Sequence, residues 1–592
     1  MSTKKPLDKK NVEDIFALSP LQQGMLFHTL HSPDDNLYAM QLNIKLSGQI
    51  RESVIREAWR VMTECHPVLR TTYRWKKNDH PVQIVLRSHE ISFHFFDLSV
   101  YETAEQQNRL EAFIQSDRLE QFDLEDCPFR VTLLKLRDDH YQMVISNHHI
   151  LSDGWSLSLL IKEFWRTYQA LFRGDRYYSE EKGSFKTYIK YLRNQTSGEA
   201  ELFWKQYLAD AEESTALPMT RHIHRPQQGT TRSIYVQIPG NTLNEINLVA
   251  KRYHVPVSAI YYTAWGLLLH RLTGKNAVFG TTVSGRSVPV AGVQSIMGVL
   301  INTIPLHMRF PDNCTIIDAV LSVRDALSGR VPYETTPLVD IRSWSGLKNN
   351  EELFRSIVVV ENYPVDQEMN DSDVLRIESV SEYSSSNYDL SVVIMGEAEL
   401  TLEFKYNDQL FCEASVKKLG QWMERMLHEI ICHTEQEINR LDLLTTEEKE
   451  QLLYGFNDTR TAYPKEKTIS ELFEEQAAAG GERIALVEGG RQWSYAELNA
   501  RANRVARKLR EQGVGPERMV GILCERSLEM TAGLLGILKA GGAYLPIDPG
   551  YPLERIAYML EDSGSSWLLS AGGWPEGLSF AGERIELTAS LL

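Results

Sequence analysis

Seven residues, His148-His149-Ile150-Leu151-Ser152-Asp153-Gly154, place two imidazoles, a carboxylate and a glycine together. Tyr141-Gln142-Met143-Val144-Ile145-Ser146, just before them, is an apolar run of strand type. After them, Leu157, Leu160, Ile161, Phe164, Tyr168, Leu171 and Phe172 recur at helical spacing. The motif is therefore expected at a strand-to-helix junction, with Gly154 allowing a tight turn and Ser152, Asp153 or Ser156 capping the helix. A strand end holds an imidazole rigidly, and a helix N-terminus offers free backbone N–H donors. A proton acceptor beside such donors suits acyl transfer through a tetrahedral oxyanion.

Neighbouring strand residues point to opposite faces, so His148 and His149 cannot both face one cavity. That argues against a metal site using both, with no Cys or third His nearby in sequence, and no metal site is expected. One of the two can act as a base while the other packs. Asp153 reads equally as a helix cap or as half of a buried ion pair.

The elements that must position these groups belong to a long chain. At 592 residues it exceeds one core and implies three or four compact units. A net charge of −16 argues against nucleic-acid binding and against an anionic membrane surface. The opening MSTKKPLDKK lacks a signal peptide's apolar core, and no run approaches the roughly 20 apolar residues of a membrane span. Cys65, Cys127, Cys314, Cys412, Cys432 and Cys524 show no CxxC spacing and read as reduced thiols of a cytoplasmic protein.

Residues 12–185 mix short strands with amphipathic helices. Residues 185–210 read as helical, and Thr220 to Gln228 as a polar loop. A second mixed region runs from about Ser233 to 440, with strands at Ala277–Ser284 and Phe354–Val360. From Thr445 to Lys467 the composition turns polar, which marks a boundary. Beyond it a helix over Leu498–Gln512 and a buried strand over Met519–Cys524 signal further α/β layers.

Several segments together resemble the condensation domain of nonribosomal peptide synthetases. Ser19-Pro20-Leu21-Gln22-Gln23-Gly24-Met25-Leu26-Phe27-His28 is similar to that family's opening helix. His66-Pro67-Val68-Leu69-Arg70 resembles its second motif, with Cys65 where the family usually has arginine. His148 to Gly154 is its HHxxxDG signature. Gly285-Arg286, Met297 to Thr303, Tyr333-Glu334 with Thr336-Pro337-Leu338, and Glu361-Asn362-Tyr363-Pro364 follow in the family's order.

Past Lys467, Trp493 to Leu498 and Leu538 to Pro549 resemble the start of an adenylation domain. That family's Ser/Thr/Gly-rich phosphate loop ending in Pro-Lys-Gly does not occur, and Ala571-Gly572-Gly573-Trp574-Pro575 reads as a surface turn. The resemblance thus implies a fragment of a larger synthetase, without adenylation activity of its own. An adenylation start after the HHxxxDG unit favours condensation over epimerization, and the double histidine separates it from cyclization relatives. Gly24 to His28 is similar to the subtype that takes a donor ending in a D-residue.

The implied reaction is amide formation between two thioesters on phosphopantetheine arms. The thiolate leaving group has a pKa near ~8.5 and the attacking amine near ~7.7–8.0, so neither step demands strong acid or base help. The resemblance selects His149 as the group facing the substrates. It either takes the amine's proton or holds the amine in line, and positioning alone can supply up to roughly 7–11 kcal/mol. The resemblance also implies that Asp153 pairs with an arginine, expected to be Arg286, with Arg70 as the competitor. His148 is expected to pack. Asn302 and Tyr333 are expected either to line the channel or to satisfy buried polar groups.

The fold implied is α/β: two chloramphenicol-acetyltransferase-like sandwich lobes in a V-shaped pseudo-dimer, with a tunnel between them. The expected organisation is a tail over 1–11, lobes over 12–185 and 186–440, a linker over 441–466, and a partial α/β adenylation subdomain over 467–592. The expected partners are donor and acceptor carrier domains with aminoacyl and peptidyl thioesters, served by a monomer. No cofactor is expected on the chain itself beyond the phosphopantetheine arms its partners bring. Two alternatives stand beside this: an acyl-CoA-dependent acyltransferase of the same superfamily, and a non-catalytic docking or gating module.

Overall fold

The structure is a computed structural model. It describes residues 7–592 except 34–35, 77–79, 179–181, 196, 213–216, 218, 221–229, 349–350, 362–373, 386 and 397–398. Asn362 to Pro364 and most of the expected 220–228 loop therefore lie outside the described residues. The chain forms two compact units, Met1–Thr446 and Glu447–Leu592.

The larger unit holds two main sheets. The first has five strands in the order Leu375–Ser384, Ala39–Gly48, His140–His148, Phe129–Lys135, Ser92–Asp97. Its last two strands are parallel and the other pairs antiparallel. The central strands are buried on both faces, although their apolar residues alternate with polar ones, so Gln41, Asn43, Arg130, Thr132 and Gln142 are buried as well. Against one face pack the helices Glu52–Cys65 and Gly154–Arg173, where Trp59 stacks on Phe164 with centroids 4.6 Å apart. Both rings are almost fully buried, so truncating Trp59 to Ala would cost about 3–5 kcal/mol. The helix Thr103–Leu119 covers the other face through Leu110, against Val144 and Leu134.

The second sheet has six strands in the order Asn302–Met308, Ala277–Val283, Ser356–Glu361, Leu390–Gly396, Leu400–Asn407, Thr231–Ile238. Alternation puts Val358, Val392, Ile394, Leu402 and Phe404 on one face, in a core with the helices Val257–Thr273 and Glu413–Cys432. One strand departs from the division expected at residue 185. Leu375–Ser384 belongs to the 186–440 range in sequence, yet it pairs with Ala39–Gly48 and completes the first sheet. Main-chain hydrogen bonds, which carry no signature in side-chain pattern, decide that placement. A smaller three-stranded sheet joins Val12–Ala17, Val82–Leu86 and Thr71–Arg74.

The region expected to be helical over 185–210 holds two helices, Phe185–Arg193 and Ser197–Tyr207. The smaller unit carries a four-stranded parallel sheet in the order Ala543–Ile547, Met519–Cys524, Trp567–Ala571, Glu583–Glu586, with the helix Tyr495–Glu511 in its core. Among the described residues no helix is long and apolar enough to cross a membrane.

Candidate active site

His148 is the last residue of its strand. The ladder pairs it with Ala39, and one more main-chain bond, from the His149 N–H to the Tyr38 carbonyl at 2.8 Å, extends the pairing past the strand's end. The chain then turns. The Ile150 N–H donates to His148 Nδ1 at 3.1 Å and the Leu151 N–H to the His148 carbonyl at 3.0 Å. Two side chains hold the turn through the Ile150 carbonyl: Gln22 Nε2 at 2.8 Å and the Tyr73 hydroxyl at 3.0 Å.

The two imidazoles have different partners. His148 is buried, and its Nδ1 is occupied as an acceptor. Its Nε2 then carries the proton and donates to Thr29 Oγ1 at 3.0 Å, while that hydroxyl donates to the Met25 carbonyl at 2.8 Å. Burial, followed by the neighbouring His149 charge, pushes the His148 pKa down to about 3, so it stays neutral. His149 is only partly buried. Its Nδ1 lies 2.9 Å from the Ser152 carbonyl, which can only accept. In the neutral ring Nδ1 therefore bears the proton and Nε2 keeps a bare lone pair. That is the tautomer a proton acceptor needs.

Asp153 caps the helix Gly154–Arg173, its Oδ1 accepting from the Ser156 N–H at 2.8 Å. Its other oxygen accepts from the Leu300 N–H at 2.9 Å and the Ile301 N–H at 3.4 Å. Arg286 Nη2 reaches Oδ1 at 3.4 Å, with both side chains buried. The cap and the ion pair, alternatives in the sequence, thus coexist on one carboxylate. Arg286 is held mainly elsewhere. Its Nη1 donates to the Val293 carbonyl at 2.7 Å and the Ile296 carbonyl at 3.0 Å, and its Nη2 to Ser156 Oγ at 3.1 Å. Burial lowers its pKa, against the pull of Asp153. Gly285 is needed for this approach: its φ is +64°, and an added Cβ would sit 1.8 Å from the Leu300 carbonyl oxygen.

Arg70 is not brought to Asp153. Its Nε donates to the Thr63 carbonyl at 2.9 Å, and its Nη1 meets Glu13 at 2.5 Å and the Leu86 carbonyl. It ties the helix Glu52–Cys65 to the three-stranded sheet. His66 of the same motif lies 3.0 Å from Glu163, below the functional turn. Gly154 does not carry the turn expected of it. It opens the helix with no left-handed φ: the chain has already turned at His148–Leu151, and Asp153, extended at φ −94° and ψ 172°, is the cap. Asn302 donates to the Glu334 and Thr336 carbonyls at 2.8 and 2.7 Å, and Tyr333 stacks on Phe203 at 4.3 Å. Both are occupied by protein groups.

Sequence reasoning gave no role to Gln22, Tyr73, Thr29 and Tyr38, and offered Ser156 only as a possible helix cap. Ser156 Oγ donates to the Gly298 carbonyl at 2.8 Å and accepts from its N–H at 3.1 Å, joining the helix start to the 298–301 segment. Only Gln22 left a readable trace, since Ser19 and Gln22 are spaced as a capping box, which they form.

The sequence of residues 12–453 matches the Condensation domain family. The chain belongs to that family. Residues 473–587 match part of the AMP-binding enzyme family. Relatives include Tyrocidine synthase 2 of Brevibacillus parabrevis, 34% identical over 94% of this chain and 16% of its own length. Bacitracin synthase 3 of Bacillus licheniformis is 33% identical over 94% of this chain and 9% of its own length. The chain thus spans only a small part of the length of these relatives. The holo form of AB3403, a four-domain nonribosomal peptide synthetase bound to AMP and glycine, superposes with a TM-score of 0.83 at 22% identity, over 99% of this chain and 45% of that one. The first condensation domain of the calcium-dependent antibiotic synthetase, solved with a substrate analogue, gives 0.62 at 20% identity, over 73% of this chain and all of its own. The larger unit is accordingly an amide-bond-forming condensation domain of chloramphenicol-acetyltransferase-like fold, followed by a partial AMP-binding region.

Proposed function

We propose that this chain joins two carrier-bound thioesters: the amine of an aminoacyl acceptor attacks the carbonyl of a peptidyl or aminoacyl donor, and the donor's phosphopantetheine thiolate leaves. The condensation unit is taken as 12–440, split into lobes near 185, with 441–466 as linker and the adenylation part from 467. The observation that carries the reading is the bare Nε2 of His149, set by the Nδ1 contact to Ser152 at 2.9 Å. That nitrogen accepts the amine proton as the tetrahedral adduct forms or collapses. The thiolate, a good leaving group near ~8.5, departs without an acid. Asp153 and Arg286 act by holding the turn, because neither carboxylate oxygen is left for substrate. The phosphopantetheine arms belong to the partner carriers, and the reaction calls for no other group. The Gly24 to His28 sequence favours a donor ending in a D-residue.

The test is a product assay with donor and acceptor loaded on carriers, run beside the same acyl groups on free CoA. Amide formed from the carriers at the higher rate supports the reading. Amide from free CoA alone supports an acyl-CoA-dependent transferase, and no amide from either supports a docking module.

A further inference from the structure

Tyr38 holds a backbone that its residue type disfavours. Its φ is +64°, in the left-handed region where a bulky aromatic residue is an outlier. Asn36, two residues earlier, is also left-handed at φ +45°. The chain thereby bends sharply into the strand Ala39–Gly48. Such conformations persist only where the surroundings over-determine them, and they cluster at functional sites.

The surroundings here are specific. The Asn36 carbonyl accepts from the Ala39 N–H at 3.4 Å and from the Ser385 hydroxyl at 3.0 Å. The Ser385 N–H donates to the Ala39 carbonyl at 3.2 Å, and Asn36 Nδ2 to the Arg118 carbonyl at 2.6 Å. The Tyr38 side chain is buried, its ring 6.0 Å from that of His148 and 6.3 Å from that of His28. Burial, and then the nearby Tyr388, raise the pKa of its hydroxyl and keep it neutral. The result of the bend is one contact, the Tyr38 carbonyl accepting from the His149 N–H at 2.8 Å.

We propose that Tyr38 is a positioning residue for His149. Its left-handed turn, clamped by Ser385 and by its own ring against His148, fixes the His149 backbone and so the direction of the free Nε2. Ser385 follows the strand that crosses into the first sheet, so chain from the 186–440 range helps to set the histidine. This rests on the reading of His149 as the group that meets the attacking amine.

Tyr38→Gly adopts a left-handed φ without strain but lacks the ring that holds it there. A displacement of about 1 Å costs on the order of 10²-fold, so kcat should fall by about that factor. The KM for carrier-loaded donor and acceptor should not change. Tyr38→Phe keeps ring and turn and should restore the wild-type kcat. Tyr38→Asn, which tolerates the left-handed region, provides a second ringless variant and should also lose kcat. In a His149→Ala background Tyr38→Gly should add no further loss, whereas general damage would multiply. Folded Gly and Asn variants with wild-type kcat would overturn the proposal, as would a loss confined to KM or one that persists without His149. If His149→Ala lowers kcat while both ringless Tyr38 variants are normal, this inference alone falls. If His149→Ala is fully active, the reading beneath it falls as well.

Discussion

Replacing Asp153 by Asn keeps the side chain's shape and removes one acceptor. The remaining oxygen can serve either the Ser156 N–H at 2.8 Å or the Leu300 N–H at 2.9 Å, and the new amide NH2 must then face a donor. Losing one charge-assisted bond costs about 1.5–3 kcal/mol. Arg286 also loses its counter-charge, although its contacts to Val293 and Ile296 remain. The total is about 3–4 kcal/mol, at the lower end of what breaking a buried pair costs. Arg286→Ala should cost about as much, mainly through those two carbonyls. The Asp153–Arg286 contact itself, at 3.4 Å, is long beside the usual ~2.7–2.9 Å of charge-assisted bonds. The coupling between the two substitutions should therefore be only about 1 kcal/mol, so the double variant falls short of additivity by that amount. Chemical denaturation of wild type, both single variants and the double, following the transition of the larger unit, measures it. Coupling below about 0.3 kcal/mol would refute the pairing. Arg70→Ala, whose side chain meets Thr63 and Glu13 instead, should destabilise additively with Asp153→Asn.

His148 predicts an acid limit. Its folded pKa of about 3 lies below the ordinary 6.5, so the unfolded chain binds the proton first. The stability it protects is complete above 6.5 and is lost as pH falls toward 3, with about 2 kcal/mol gone by pH 5. A His148→Gln variant should show a flatter melting temperature against pH over that range. Glu361 predicts the reverse. Burial first, then Glu382 and Glu403 against the opposing Lys405, raise its pKa from the ordinary 4.5 to about 8. The folded carboxyl keeps a proton that the unfolded chain releases, so stability declines as pH rises from 4.5 toward 8. Glu361→Gln should remove that decline, read as melting temperature across the same window. The 592-residue chain should give no ATP–pyrophosphate exchange with any amino acid, since no phosphate-loop sequence follows Pro549.

Much of the arrangement was legible in residue types. The apolar run before His148 and the helical spacing from Leu157 to Phe172 locate the junction, and Asp153 with Arg286 could be paired on resemblance. What was not legible depends on main chain from distant segments. Tyr38 and Ile150 act through carbonyls, which every residue has. Ser156 takes its meaning from Gly298, 142 positions away. Strand Leu375–Ser384 reads as part of the second sheet's range until its ladder to Ala39–Gly48 is seen. Gly154 misled because glycine suggests a turn, whereas the chain turns earlier, at His148–Leu151, and Gly154 is simply the first residue of the helix.

The central claim is that His149 Nε2 meets the attacking amine. Single-turnover amide formation between carrier-loaded donor and acceptor, comparing wild type with His149→Ala, tests it most directly. A loss of roughly 10²–10⁴-fold at unchanged melting temperature is predicted for a group that takes a proton in the transition state. A folded His149→Ala chain that forms amide at the wild-type rate would contradict it.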